Sequence, residues 1–273
     1  MRVISKSVEI DGKMLNFEIG KIAKQAGGST VVRMGDTMVL VTACSSPDER
    51  PGVDFLPLTV DYRENTYAGG RLPGGFFKRE GRPTERETLT CRVIDRGLRP
   101  LFPDGYYRET QVIAWVLSAD DDFSPDIYGI SGASLALLLA ADIPYEAALA
   151  GVRVGRVGER LVVFPTNEEA EESDLDLVVA GTEDAVVMVE CGANELPESI
   201  LIDALDVAHR EIKRIIALQR EIVAEAGVVK AEFTAAPDPW PSDLADAIRS
   251  RWTEELREAL LVRGKFEQKA AAD

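Results

Sequence analysis

Residues 69–102 read GGRLPGGFFKREGRPTERETLTCRVIDRGLRPLF, a glycine-rich stretch that runs into a predicted helix. Between Arg71 and Arg99 it holds eight basic and four acidic residues, a local charge of +4. The whole chain of 273 residues carries a formal net charge of −16, so the remaining residues sum to −20. Such acidity argues against general adhesion to nucleic acid or membranes, but a focused patch acts within roughly a Debye length of about 8 Å. The stretch is therefore a candidate for a local anion-binding site.

The second half of this stretch predicts a helix. Thr84 followed by Glu87 makes a capping box, so we expect the helix to begin at Glu85 and to end before Pro100. At about 100° per residue, Arg92, Arg96 and Arg99 fall on one face of this helix. The opposite half is apolar and contains Leu89, Val93, Ile94 and Leu98. Two interpretations stay open: the guanidinium groups grip phosphate, or they pair internally with Glu85 and Asp95.

The first half predicts a loop in which aromatic and basic side chains stand together. Its glycines let the backbone turn sharply or approach a ligand, and they precede Phe76, Phe77, Lys78 and Arg79. Bases of single-stranded nucleic acid stack on such rings while phosphates meet the cations, and each stacked base contributes about 1–3 kcal/mol in known systems. The alternative is that both phenylalanines are core residues and the cations are merely solvated.

Elsewhere the chain interleaves predicted hairpins with single helices, which is typical of an α+β fold. Hairpin turns are predicted at Gly35-Asp36, at Gly158 and at residues 181–184. Further helices are predicted at about 131–141 and 197–226, and Gly227 ends the longer one. One face of that longer helix is apolar at helical spacing: Leu201, Leu205, Ala208, Ile212, Ile215 and Ile216.

The prolines of TAAPDPWPSD, residues 234–243, predict a linker. They divide the chain into a core domain, residues 1–235, and a charged helical segment, residues 240–273. About thirty helical residues cannot bury a core alone, so we expect the chain to be a fragment of something longer.

Cysteine usage and hydropathy predict a cytoplasmic protein with no membrane partner. Cys44, Cys91 and Cys191 are far apart and form no CxxC pair, which is typical of reduced thiols. The start, MRVISKSVEI, has no apolar signal core, and no run approaches 18 apolar residues.

The sequence predicts no catalytic residue and no metal site. GGRLPGG is not followed by the Gly-Lys-Ser/Thr of a Walker A loop. Adjacent carboxylates at residues 120–122 are interpreted as a solvated loop, and His209 as a packing residue. Ser131 and Ser134 are interpreted as helix caps.

Three segments identify a family resemblance: residues 59–106, FPTNEE at 164–169 and SDLDLVVAGTEDAVVMVE at 173–190. They closely resemble the first RNase PH-like domain of the bacterial polynucleotide phosphorylase family. The resemblance implies an RNase PH-like (ribosomal protein S5 domain 2-like) fold of mixed sheets with packed helices for residues 1–235. It also implies that residues 240–273 are the start of the family's all-helical linker domain.

Members of that family are nucleotidyltransferases that degrade RNA from the 3′ end by phosphorolysis. Inorganic phosphate is the co-substrate, Mg²⁺ assists, and nucleoside diphosphates are released. The resemblance implies that this chain is the N-terminal half of a cytoplasmic exoribonuclease that acts in mRNA degradation. It also implies a homotrimeric ring and possible binding of other RNA-degradation proteins. In the family the phosphate and Mg²⁺ sites lie in a second RNase PH-like domain, so this chain alone is expected to bind RNA and scaffold the ring without catalysis.

By the same resemblance, Phe76, Phe77, Lys78 and Arg79 line the constriction of the ring channel and grip single-stranded RNA. The family usually has arginine where this chain has Lys78, so the charge is kept but the bidentate geometry is not. Further arginines of the same block are implied to face RNA phosphates: Arg82, Arg96 and Arg99.

Two alternatives remain beside this interpretation. One is a non-catalytic RNA-binding ring subunit of an exosome-like assembly that works with a separate catalytic partner. The more distant one is a structural protein whose arginines bind a metabolite anion.

Overall fold

A computed structural model describes residues 2–49, 51–235 and 240–273. The chain divides into two compact units, Met1–Phe233 and Thr234–Asp273. The first unit contains, within the described residues, β1 (Ile4–Ile10), β2 (Lys13–Ile19), β3 (Gly28–Met34), β4 (Thr37–Glu49), β5 (Leu58–Arg63), α1 (Glu85–Leu98), β6 (Arg108–Ser118), α2 (Tyr128–Leu139), β7 (Ala150–Val157), β8 (Arg160–Val163), α3 (Asn167–Glu172), β9 (Leu175–Gly181), β10 (Val186–Ala193) and α4 (Glu198–Ala226). The second contains α5 (Ser242–Leu260) and α6 (Lys265–Ala272).

The strands of the first unit form two sheets. A six-stranded sheet has the order β1-β2-β3-β4-β6-β5, and a four-stranded sheet has the order β10-β9-β7-β8. Every neighbouring pair is antiparallel except β5 and β6, which are parallel. The parallel pair needs a long crossover, and that crossover contains the glycine-rich stretch and α1. The predicted α+β fold of mixed sheets with packed helices is confirmed.

The three predicted hairpins are confirmed. Gly35, with a φ of 58°, turns between β3 and β4, and Gly158, with a φ of 62°, turns between β7 and β8. The third turn, residues 182–185, joins β9 to β10. Strand β1 at the N-terminus was not predicted; it pairs with β2 along its whole length, from Ile4 to Ile10.

Helix α2 is the centre of the core, and all of its twelve residues are buried. It packs on β3 and β4 of the six-stranded sheet and also contacts β7 of the other sheet. It begins three residues before the predicted start at 131 and ends at Leu139. At that end the Nζ of Lys230 donates to three backbone carbonyl oxygens, those of Leu137, Ala140 and Ile143. Burial lowers the pKa of Lys230 to about 8.

The interpretation of Ser131 and Ser134 as helix caps is wrong. Ser134 Oγ accepts a hydrogen bond from the Leu149 N–H at 2.8 Å, and Ser131 Oγ accepts one from the Gly151 N–H at 3.0 Å. Both serines therefore satisfy buried backbone donors at the start of β7, which an apolar helix face could not do. Gln219 of α4 completes this buried network: its Nε2 donates to the backbone carbonyl oxygens of Ser131 and Leu149.

The two other helices of the core follow their sequence signals. Helix α1 begins at Glu85 with both bonds of the capping box: the Glu87 N–H donates to the Thr84 side chain, and the Thr84 N–H donates to the Glu87 side chain. Helix α4 ends at Gly227, which has a φ of 65°. Its predicted apolar face lies against both sheets, on β1, β7 and β9.

The apolar half predicted for α1 is partly wrong. Ile94 and Leu98 are fully buried, but the side chain of Leu89 is 51% exposed. The buried face is instead rotated toward Glu87, Thr90 and Gly97. Glu87 can lie there because it accepts hydrogen bonds from the N–H groups of Thr84 and Glu64.

The second unit is helical, as its sequence predicts. Gly264, with a φ of 103°, separates α5 from α6. The linker predicted at residues 234–243 falls partly on residues 236–239, which lie outside the described residues. No helix in the described part of the chain is long and apolar enough to cross a membrane.

Candidate nucleic-acid interface

The glycine-rich stretch forms a loop, residues 70–83, which we call the basic loop. It begins after a 3₁₀ turn, Thr66–Gly69, and ends at the capping box of α1. At its tip the side chains of Phe76 and Phe77 are 94% and 81% exposed, and their ring centroids lie 5.5 Å apart, edge to face. The alternative that these two phenylalanines are core residues is therefore wrong. Large apolar patches exposed to solvent mark interaction sites more often than single exposed residues do.

The cations of the basic loop are free to meet a ligand. Lys78, Arg79 and Arg82 are exposed, and none of them forms a hydrogen bond or ion pair with any residue that the structure describes. Lys78 has a φ of 53° and Gly75 a φ of 74°, so two left-handed residues shape the tip. The structure thus brings the two exposed rings and the three predicted cations into one loop. The loop also holds Arg71, which is exposed and whose side chain has no partner among the described residues.

Arg96 and Arg99 lie on α1 and are paired internally. Arg96 forms an ion pair with Glu190 of β10. Arg99 bonds to both carboxylate oxygens of Asp95, at 2.6 and 2.9 Å, and donates to two backbone carbonyls before β5 and at its start. Those carbonyls are Leu56 O at 2.9 Å and Leu58 O at 3.1 Å. The interpretation of internal pairing therefore describes Arg99 in this structure, and its predicted contact with RNA stays a prediction.

We expect Arg99→Ala to lower the free energy of unfolding by about 1–2 kcal/mol, because two carbonyls and a carboxylate lose a charged donor. Arg96→Ala is the matched control: it removes one exposed ion pair and should change stability by less than about 0.5 kcal/mol. Urea denaturation of both variants measures the difference. Equal stability of the two variants would contradict the structural role of Arg99, and an RNA titration of the same variant tests its phosphate contact.

A groove of about 770 Å³ lies between α1 and β10. Arg86, Arg92 and Leu89 line its α1 side, and its floor includes Arg153, which forms ion pairs with Asp126 and Asp176. Burial favours the neutral form of Arg153, but these two carboxylates hold its pKa above the ordinary value. The groove could not be found from sequence, because its walls come from segments about a hundred residues apart.

Other residues considered as chemical candidates have structural partners. Asp120 accepts hydrogen bonds from the N–H groups of Asp36 and Phe123 and from Thr37 Oγ1. Although burial raises its pKa, these donors lower it below the ordinary value. The interpretation of residues 120–122 as a solvated loop therefore fits the exposed Asp121 and Asp122 but not Asp120, which braces the β3–β4 turn. His209 Nε2 lies 3.0 Å from the Thr182 carbonyl oxygen, which fits a packing role.

Within residues 2–49, 51–235 and 240–273, no group of three or more His, Cys, Asp or Glu side chains could hold a metal ion.

Comparison with known families decides the assignment. The model of the 3′ exoribonuclease family, domain 1, matches residues 11–144, and that of domain 2 of the same family matches residues 147–211. The chain belongs to the 3′ exoribonuclease family. Both matched segments of this exoribonuclease fold lie within the first compact unit.

Among relatives in the 3′ exoribonuclease family, the polyribonucleotide nucleotidyltransferase of Heliobacterium modesticaldum is 53% identical over 97% of this chain. That of Halothermothrix orenii is 49% identical over 98% of it. The chain spans about 37% of the length of each of these two relatives. The resemblance to the polynucleotide phosphorylase family is confirmed by these matches.

A solved structure supports the fold independently. The crystal structure of rice (Oryza sativa) Rrp46 matches with a TM-score of 0.59 and 15% identity, covering 81% of this chain and 94% of that one. At this identity the likeness concerns the fold alone, and it agrees with the RNase PH-like architecture of the first unit.

Proposed function

We propose that this chain is the RNA-binding part of an enzyme that degrades RNA from its 3′ end by phosphorolysis. In that reaction an oxygen of inorganic phosphate attacks the terminal phosphodiester, and the bond to the next 3′ oxygen breaks. The last nucleotide leaves as a nucleoside diphosphate, and the shortened RNA keeps a 3′ hydroxyl. The names and identities of the relatives from Heliobacterium modesticaldum and Halothermothrix orenii support this assignment.

The observation that carries the proposal is the exposed tip of the basic loop. Two exposed aromatic rings stand beside Lys78 and Arg79, whose side chains have no partner among the described residues. Arg82 follows in the same loop and is also unpaired among those residues. Stacking on Phe76 and Phe77 tolerates any base, and contacts from the cations to phosphate carry no sequence information. An exonuclease that removes every nucleotide in turn needs this kind of grip. The net charge of −16 keeps RNA off the rest of the surface.

The same proposal includes the groups and partners that the family uses. Inorganic phosphate and Mg²⁺ are assigned to a second RNase PH-like domain of the family, and single-stranded RNA to the basic loop of this one. A homotrimeric ring would bring three basic loops around one channel. We place the enzyme in the cytoplasm, in mRNA degradation, where other RNA-degradation proteins are further partners.

The alternative of a non-catalytic subunit in an exosome-like assembly has weaker support. Relatives with 53% and 49% sequence identity are named as nucleotidyltransferases, whereas the likeness to Rrp46 concerns the fold alone.

The proposal predicts that this chain alone, incubated with poly(A), inorganic phosphate and Mg²⁺, releases no nucleoside diphosphate. The reason is that the phosphate and metal sites are assigned to another domain. Chromatography of the products measures release, and a full-length polyribonucleotide nucleotidyltransferase is the positive control. Release by this chain that is abolished by substitutions within it would contradict the division of labour.

A further inference from the structure

The tip of the basic loop, Phe76–Arg79, has no polar anchor of its own. Across the described part of the chain, no side chain of the tip takes part in a hydrogen bond or an ion pair. A β-carbon added at Gly74 or Gly75 would meet no atom within 4 Å, so the backbone around the tip lies in open space. The conformation of the tip therefore depends on how the two ends of the basic loop are held.

Glu80 connects the end of the tip to the 3₁₀ turn before the loop. Its Oε1 accepts hydrogen bonds from the N–H of Thr66 at 2.9 Å and from Oγ1 of Thr66 at 2.7 Å. Next to it, Arg63 Nη2 donates to the Gly81 carbonyl oxygen at 3.2 Å. Hydrogen bonds with an ionised partner are roughly twice as strong as neutral ones. We call the Glu80–Thr66 contact the clasp.

The α1 end of the basic loop is fixed without the clasp. The buried carboxylate of Glu87 accepts hydrogen bonds from the Glu64 N–H at 2.9 Å and from the Thr84 N–H at 2.6 Å. Losing the Glu80 side chain therefore loosens the tip, which keeps only the Arg63–Gly81 contact beside it, and leaves the start of α1 attached to the end of β5. A variant at Glu80 is expected to fold, so its effect on RNA binding can be measured.

We propose that Glu80 is a positioning residue for RNA: the clasp holds the rings and cations of the tip in the arrangement that RNA meets. This inference rests on the proposed RNA-binding function of the basic loop. A tip that is already ordered loses less conformational entropy when RNA binds, so the clasp increases affinity without touching RNA.

A positioning role and a purely electrostatic role of Glu80 predict opposite changes in RNA affinity when its negative charge is removed. Within the described residues, no ion pair joins Glu80 to the cations of the basic loop. A carboxylate that is not paired with a cation repels any phosphate that binds near it. Electrostatics alone therefore predicts that removal of Glu80 strengthens RNA binding, whereas loss of positioning predicts that it weakens binding.

The test compares three variants of the 273-residue chain by titration with oligo(A) at one salt concentration. Glu80→Ala removes the clasp, and Glu80→Gln keeps an oxygen that can accept from Thr66. Glu85→Ala is the matched control for charge, because Glu85 is exposed and has no hydrogen bond or ion pair among the described residues. We expect Glu80→Ala to weaken binding about three- to tenfold. The other two variants should bind at least as tightly as the parent.

Amide hydrogen exchange at Thr66 reports the clasp directly, and we expect faster exchange in Glu80→Ala than in the other two variants. The double variant Lys78→Ala/Arg79→Ala distinguishes failure of the positioning role from failure of the proposed RNA-binding function. If this double variant loses affinity while Glu80→Ala binds like the parent or tighter, the positioning role is overturned and the proposed function stands. If the double variant also binds like the parent, the proposed function fails and the role of Glu80 fails with it.

Discussion

Replacement of Gly28 by alanine is expected to lower the free energy of unfolding by about 3 kcal/mol or more. Gly28 begins β3 at the place where α2 packs most closely on the six-stranded sheet. A β-carbon there would lie 1.9 Å from the Ala136 carbonyl oxygen and 2.9 Å from the Ala140 nitrogen. These are backbone atoms of α2 and its C-terminal end, so relief requires the helix to move away from the sheet.

The control for this variant is Gly192→Ala in β10. A β-carbon at Gly192 would meet no atom within 4 Å, so stability should change by less than about 0.5 kcal/mol. Urea denaturation of the two variants measures the contrast. If Gly28→Ala is as stable as Gly192→Ala, the close packing of α2 on β3 is wrong.

The double variant Lys78→Ala/Arg79→Ala is expected to bind single-stranded RNA roughly tenfold or more weakly at low salt. The slope of log affinity against log salt should also become shallower, by up to about 0.7 for each phosphate that is no longer neutralised. The reason is that both cations lack a partner among the described residues, so they are available to displace counterions from phosphate. Fluorescence titrations at several salt concentrations give affinity and slope together.

Two further variants make the result specific. Phe77→Ala should weaken binding by about 1–3 kcal/mol with the salt slope nearly unchanged, because stacking releases no counterions. Lys24→Ala/Lys213→Ala removes two exposed lysines that are unpaired within the described residues, and it should leave affinity close to that of the parent. If both double variants lose the same affinity, net charge explains the effect and the tip does not.

Local signals in the sequence predicted much of the fold. The hairpin turns at Gly35 and Gly158, the capping box of Thr84 and the end of α4 at Gly227 depend on residues close in the chain. The same holds for the apolar face of α4, which repeats at helical spacing. Such features need no knowledge of distant segments, and so they could be predicted.

Features that depend on distant partners could not be predicted in this way. Ser134 resembles a cap until the N–H of Leu149, fifteen residues later, is placed beside it. The helix pattern presents Arg99 as a phosphate ligand, but in the fold Arg99 donates to the carbonyls of Leu56 and Leu58. Leu89 was assigned to the apolar half of α1, yet the sheets contact the helix on a rotated face. In each case the outcome depended on tertiary packing, which the local sequence pattern does not contain.

The candidate site was predicted on two different grounds. The clustering of rings and cations pointed to nucleic acid, while the assignment of seven residues to RNA came from the family resemblance. The structure adds exposure, which periodicity cannot supply: Phe76 and Phe77 are uncovered, and Arg96 and Arg99 have partners. It also adds the clasp, because Glu80 and Thr66 are fourteen residues apart and no local pattern joins them.

Photocrosslinking shows whether RNA lies on the basic loop. The 273-residue chain is irradiated with uniformly labelled oligo(U), digested, and the RNA-bearing peptides are identified by mass spectrometry. If RNA binds the basic loop, we expect adducts within residues 69–83, centred on Phe76 and Phe77. These adducts should disappear when excess unlabelled RNA competes. Competed adducts confined to other segments, with none in residues 69–83, would contradict it.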